Sequence, residues 1–130
     1  MSKYQFHVNV TPRYLADESV PEQELFVFSY TVTITNVGEV SAQLISRNWN
    51  INDARGHTER VRGLGVIGQQ PLLNPGESFE YTSGTRLRTA TGTMHGSFFC
   101  VAEDGEKFDT DIPMFVLDAL SPSGGRRTLH

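Results

Sequence analysis

The chain has 130 residues, with 15 acidic, 11 basic and one cysteine, for a formal net charge of -4. That length supports one domain with its own hydrophobic core, without help from disulfides or a structural metal. The lone Cys100 excludes an intramolecular disulfide framework, the acidic balance argues against general nucleic-acid binding, and no apolar run is long enough to span a membrane.

Along most of the chain apolar residues recur with a period of two, the pattern of half-buried strands. Tyr4, Phe6, Val8 and Val10 share one face of a first strand, and Pro12 to Glu22 reads as a loop with an acidic centre. From Glu24 to Asn36, Phe26, Phe28, Tyr30, Val32 and Ile34 alternate with Ser29, Thr31, Thr33 and Thr35, a composition that suits a pleated surface. The next strand groups Ile45, Trp49 and Ile51 on one face, with Arg47 interrupting it. Phe79 and Tyr81 mark another strand, and Met94, Gly96, Phe98, Cys100 and Ala102 hold the inward parity of the one after. Phe108, Thr110 and Ile112 then keep even parity before Phe115 and Leu117 switch to odd; Pro113 stands at the switch, which predicts a bulge there.

Turn chemistry separates these strands at Asn36-Val-Gly38, Asn52 to Gly56, Asn74-Pro-Gly76 and Glu103-Asp-Gly105. About seven short strands with no amphipathic helix predict an all-β fold, an antiparallel β-sandwich forming a single domain over residues 1–120. Ser121 to His130 has the composition of a disordered tail. The amino terminus, Met1-Ser-Lys-Tyr-Gln-Phe-His7, lacks the apolar stretch of a signal peptide, which together with the lone cysteine points to the cytoplasm.

Gly63, Gly65 and Gly68 form a G-x-G-x-x-G. A dinucleotide site needs a buried strand before the glycines and a helix after them, so that the helix amino terminus meets the pyrophosphate. Here a polar run, Gly56-His-Thr-Glu-Arg-Val-Arg62, precedes the motif and Pro71 and Pro75 follow it, leaving no room for the helix. No acidic residue stands about twenty positions further on to hold a ribose, and no lysine follows the last glycine as a P-loop requires.

The wider stretch Gly65-Val-Ile-Gly-Gln-Gln-Pro-Leu-Leu-Asn-Pro-Gly-Glu77, with Phe79, Tyr81-Thr-Ser-Gly84, Gly92-Thr-Met94, Gly96, Phe108, Ile112-Pro113 and Phe115, resembles the ApaG family in order and spacing. The likeness runs from about Tyr4 to Leu117, far more of the chain than the glycine triplet. It implies a fibronectin type III-like (immunoglobulin-like) sandwich of seven or more strands. It also implies a loose association with cobalt tolerance and magnesium efflux. The family is named for a gene neighbouring a diadenosine tetraphosphate hydrolase gene. Similar domains end a eukaryotic F-box protein and occur in a partner of a DNA polymerase, contexts that imply protein recognition.

Catalytic and metal-binding residue patterns are weak. His7, His57, His95 and His130 form no H-x-H or H-E-x-x-H pair, although His7 and His95 would meet if their strands were neighbours. Glu103, Asp104, Glu106, Asp109 and Asp111 supply hard oxygen atoms suited to magnesium, but their spacing reads as a hairpin turn and a solvated strand edge. Ser83 lies in Tyr-Thr-Ser-Gly rather than G-x-S-x-G and reads as turn chemistry at a strand end; Cys100 reads as a buried hydrophobe. The chain therefore reads as a non-enzyme without a cofactor, binding cations or anions weakly if at all.

The binding surface predicted from sequence is the glycine loop. Val66, Ile67, Leu72 and Leu73 lie in an irregular surface segment, some expected to tuck into the sandwich and the rest to form an apolar patch for a protein partner, with Gln69 and Gln70 available to bond a peptide backbone. Strand addition at an open sheet edge is a second route to such a partner. The alternative is a phosphorylated small ligand held by Gly63, Gly65 and Gly68 beside Arg60 and Arg62, with Arg86 and Arg88 adding charge if the fold brings them close.

Overall fold

In the computed structural model, which describes residues 2–120, eight strands follow one another: β1 (Phe6–Tyr14), β2 (Phe26–Asn36), β3 (Ala42–Asp53), β4 (Thr58–Leu64), β5 (Leu72–Leu73), β6 (Ser78–Leu87), β7 (Thr91–Ala102) and β8 (Lys107–Asp118). The helical pieces among the described residues are two 3-10 turns, Ala16–Glu18 and Pro21–Gln23. The tail expected at 121–130 lies outside the described residues. One sheet has the order β1-β2-β6 and the other β4-β3-β7-β8, with β5 paired to the start of β3; every pairing is antiparallel. The two sheets make the expected antiparallel sandwich.

Strict alternation in β2 buries Phe28, Tyr30, Val32 and Ile34 against Leu44, Trp49, Met94, Phe98, Ile112 and Leu117 of the facing sheet. The outward residues of β2 bond across to β6: the Thr31 and Thr82 hydroxyls meet at 2.8 Å, those of Thr35 and Ser78 at 2.7 Å, and the Thr33 hydroxyl donates to Glu80 at 3.1 Å. A polar outer face and an apolar inner one fix the register, because a slip of one residue would exchange them.

The bulge expected at Pro113 is present. Met94 pairs with Phe115 but Gly96 with Ile112, so His95 alone faces Pro113 and Met114, and the inward parity passes from Ile112 to Phe115 and Leu117. Three sequence expectations need correction. Ile45 does not share the inward face of Trp49 and Ile51, since a register shift between Leu44 and Ser46 makes Ala42 and Leu44 the inward residues of early β3. The loop expected from Pro12 starts later: β1 runs to Tyr14, and Pro12 is tolerated because β1 is an edge strand. Ser83 lies within β6, paired with Tyr30, not at a strand end.

The two sides of the sandwich differ. Between β1 and β8 it is shut: Phe108 meets Phe6 edge-on at 5.6 Å and Tyr4 at 6.0 Å, and the Tyr4 hydroxyl donates to Asp104 at 2.6 Å. On the opposite side, among the described residues, β4 pairs with β3 alone and β6 with β2 alone, leaving one free edge on each strand.

Candidate functional site

The free edges of β4 and β6 border a cleft of about 850 Å³. The bulge in β3 turns its odd-numbered residues inward from this point, so Arg47, Trp49 and Ile51 line the cleft together with Tyr30 of β2 and Ser83 of β6. Trp49 packs edge-on against Tyr30 at 5.3 Å and against Phe115 at 5.9 Å, forming an aromatic floor. Arg47 crosses beneath the end of β4, and its Nη1 donates to the Leu64 carbonyl at 3.1 Å and the Gly65 carbonyl at 2.9 Å. It forms no ion pair among the described residues.

Burial raises the pKa of the Tyr30 phenol, while the Ser83 hydroxyl and the Arg47 charge pull it back. Burial likewise pushes Tyr81 well above the ordinary phenol range, and its hydroxyl has no hydrogen-bond partner among the described residues. Arg86 and Arg88 stand at the cleft rim. Nearby, Arg55 is paired with Glu24, and Asp53 Oδ1 accepts the His57 and Arg55 backbone N–H groups, which hold that carboxyl below its usual range.

The glycine loop adjoins this cleft. Val66 and Gln69 exchange both backbone hydrogen bonds, at 2.8 and 2.9 Å, around Ile67 at φ 42° and Gly68 at φ 80°. Positive φ at both central residues is the geometry of a primed hairpin turn, where asparagine and glycine are the usual occupants. The triplet has structural reasons. A Cβ on Gly63 would stand 2.9 Å from the terminal nitrogens of Arg47, and one on Gly65, at φ 64°, would run into the Gln69 carbonyl.

Gly63 lies in β4, paired with Arg47 of β3, and Gly65 through Gln70 form the loop that follows. Val66 is fully buried and anchors it, whereas Ile67 is 54% exposed at its tip. Gln70 Nε2 is occupied by the Ile45 carbonyl at 2.9 Å, and Gln69 is exposed. Arg60 and Arg62 belong to β4, opposite Asn50 and Asn48 on the outer face, while Arg86 and Arg88 lie at the cleft and not with them. The sequence reading missed the cleft. Its signal was Arg47, a cation at an inward position of an otherwise apolar strand face.

His7 is on β1 and His95 on β7, in different sheets, so the two do not meet. Among the described residues no group of three or more His, Cys, Asp or Glu could hold a metal ion. Asp104 is engaged by Tyr4 and, at 3.7 Å, by Lys3; Glu103 accepts the Ser41 N–H at 3.3 Å. Burial pushes the Cys100 thiol up to about 12. No helix among the described residues is long and apolar enough to cross a membrane.

Residues 16–102 match the family described as the ApaG domain. A protein named ApaG from Acidovorax sp. (strain JS42) is 65% identical over 94% of this chain and 90% of its own length. Its counterpart from Ralstonia nicotianae is 56% identical over 90% of this chain and 94% of its own. The crystal structure of the ApaA protein from Bordetella pertussis superposes with a TM-score of 0.90 at 52% identity, covering 92% of this chain and 98% of that one.

Proposed function

The chain belongs to the ApaG family, and we propose that it is a cytoplasmic protein-interaction module, a fibronectin III-like sandwich whose glycine loop carries the contact surface. The observation behind this reading is Ile67. A β-branched side chain at φ 42° costs about 1–2 kcal/mol relative to an ordinary backbone, and at 54% exposure burial offsets little of that cost. Strain of this kind, kept at an exposed tip, favours a recognition role.

Ile67 has apolar company. Leu64 is 74% and Leu72 59% exposed. By register Leu64 faces Ser46 and, beyond it, Phe99, while Leu72 faces Gln43 and Val101, so these side chains share the outer face of one sheet. Exposed apolar side chains gathered on one face of a small domain favour a contact site. A link to divalent-cation balance would then act indirectly, through the partner. The alternative of a phosphorylated ligand on the loop has less support, because Arg60 and Arg62 lie on the outer strand face and the Gly65, Val66 and Gln69 N–H groups already donate within the fold.

The test is capture of a partner from lysate on the immobilised chain. The double substitution Ile67→Asp with Leu72→Asp is expected to abolish capture while leaving the thermal midpoint unchanged. Capture that survives it would reject the loop surface.

A further inference from the structure

We propose that the cleft between the free edges of β4 and β6 is a second recognition site, one that takes an extended acidic peptide segment. This goes beyond the loop surface and does not depend on it. Three features converge on such an occupant. Unpaired strand edges present rows of N–H and C=O groups that template an added strand, and here two of them border one cleft. Its volume falls within the range of specific pockets. Its floor of Trp49, Tyr30, Ile51 and Val61 suits the alternate apolar side chains of a strand.

Charge selects the acidic class. Arg47 is on β3, flanked by β4 and β7, so it cannot be a charge that guards an open edge. Only its Nη1 is engaged, by two carbonyls, and the rest of the guanidinium has no partner among the described residues. Arg86 and Arg88 likewise form no ion pair among the described residues. Of the carboxylates nearby, Glu24 is paired with Arg55 and also feels the Arg88 charge, which leaves Asp53 and Glu59 against Arg47, Arg86 and Arg88, an excess of positive charge at the cleft. Arginine forks match carboxylates in geometry. A free inorganic anion would use the arginines and leave both strand edges and the aromatic floor idle.

The experiment selects phage-displayed random peptides on the immobilised full chain, then titrates the enriched peptide while following the fluorescence of Trp49, the one tryptophan. Enriched sequences are expected to alternate acidic with apolar residues and to shift Trp49 emission saturably. Arg86→Glu with Arg88→Glu, both exposed, is expected to weaken binding about tenfold or more at an unchanged melting temperature, and Ile67→Asp with Leu72→Asp to leave it unaltered. The proposal is overturned if no acidic set is enriched or if the two arginine substitutions leave affinity unchanged. Displacement of the peptide by equimolar inorganic phosphate would also overturn it, as would self-association of the chain that quenches Trp49 in the peptide's absence.

Discussion

Ile67 holds a backbone conformation that glycine would hold without strain, and the exchange can be tested directly. Ile67→Gly should raise stability by about 1 kcal/mol, the left-handed cost being partly offset by the greater freedom of glycine in the unfolded chain. Urea unfolding measures the gain, and partner capture should fall in the same variant. A loss of stability would show that the Ile67 side chain packs to advantage and would remove the argument for recognition. Cys100 gives a second prediction at this scale. Its folded pKa is raised from an ordinary 9.0 to about 12 by burial, so the unfolded chain releases the proton first. The stabilisation is therefore complete below pH 9 and lost as pH rises from 9 towards 12. Cys100→Ala should cost about 1 kcal/mol of packing at neutral pH yet decline less steeply through that window in pH-dependent unfolding. An unchanged slope would assign the alkaline loss to the buried tyrosines alone.

Among the elements, β2 and the β7–β8 hairpin were legible because their side chains alternate without interruption or break at a proline. β3 was legible only in part: a bulge at Ile45 leaves no mark of its own in composition, so a period of two carried past it assigns Ile45 to the wrong face. β4 was missed as a strand because an edge strand need bury little, and its polar run resembles a loop. The cleft could not be read at all, since it depends on which edges remain unpaired after both sheets assemble. Arg47 was visible as an anomaly whose meaning required β4 above it. That contact has a measurable consequence. Arg47→Leu removes two hydrogen bonds to the start of the glycine loop while adding apolar surface to the floor, so global stability should change little. Hydrogen exchange at the Val66 and Gln69 amides should nevertheless accelerate about tenfold, as expected for the loss of roughly 1.4 kcal/mol of local hydrogen bonding. Unaltered exchange would mean that the loop is held by Val66 burial alone.

For the molecule as a whole, the asymmetry between a shut and an open side sets where stability is stored and where binding is allowed. Phe108 seals the β1–β8 side through Phe6 and Tyr4, with Tyr4 further fixed by Asp104. Val61 occupies the corresponding inward position on the open side, where its strand has no neighbour beyond β3 among the described residues and its side chain borders the cleft. Truncating each to alanine compares the two sides. Phe108→Ala removes a partly buried ring and two aromatic contacts, a loss expected at about 2–3 kcal/mol in urea unfolding. Val61→Ala removes two methyl groups from a wall already open to solvent, so it should cost under about 1 kcal/mol. Equal costs would mean that the β4–β6 side is packed as firmly as the other. It could not then open to admit a strand without disturbing the core.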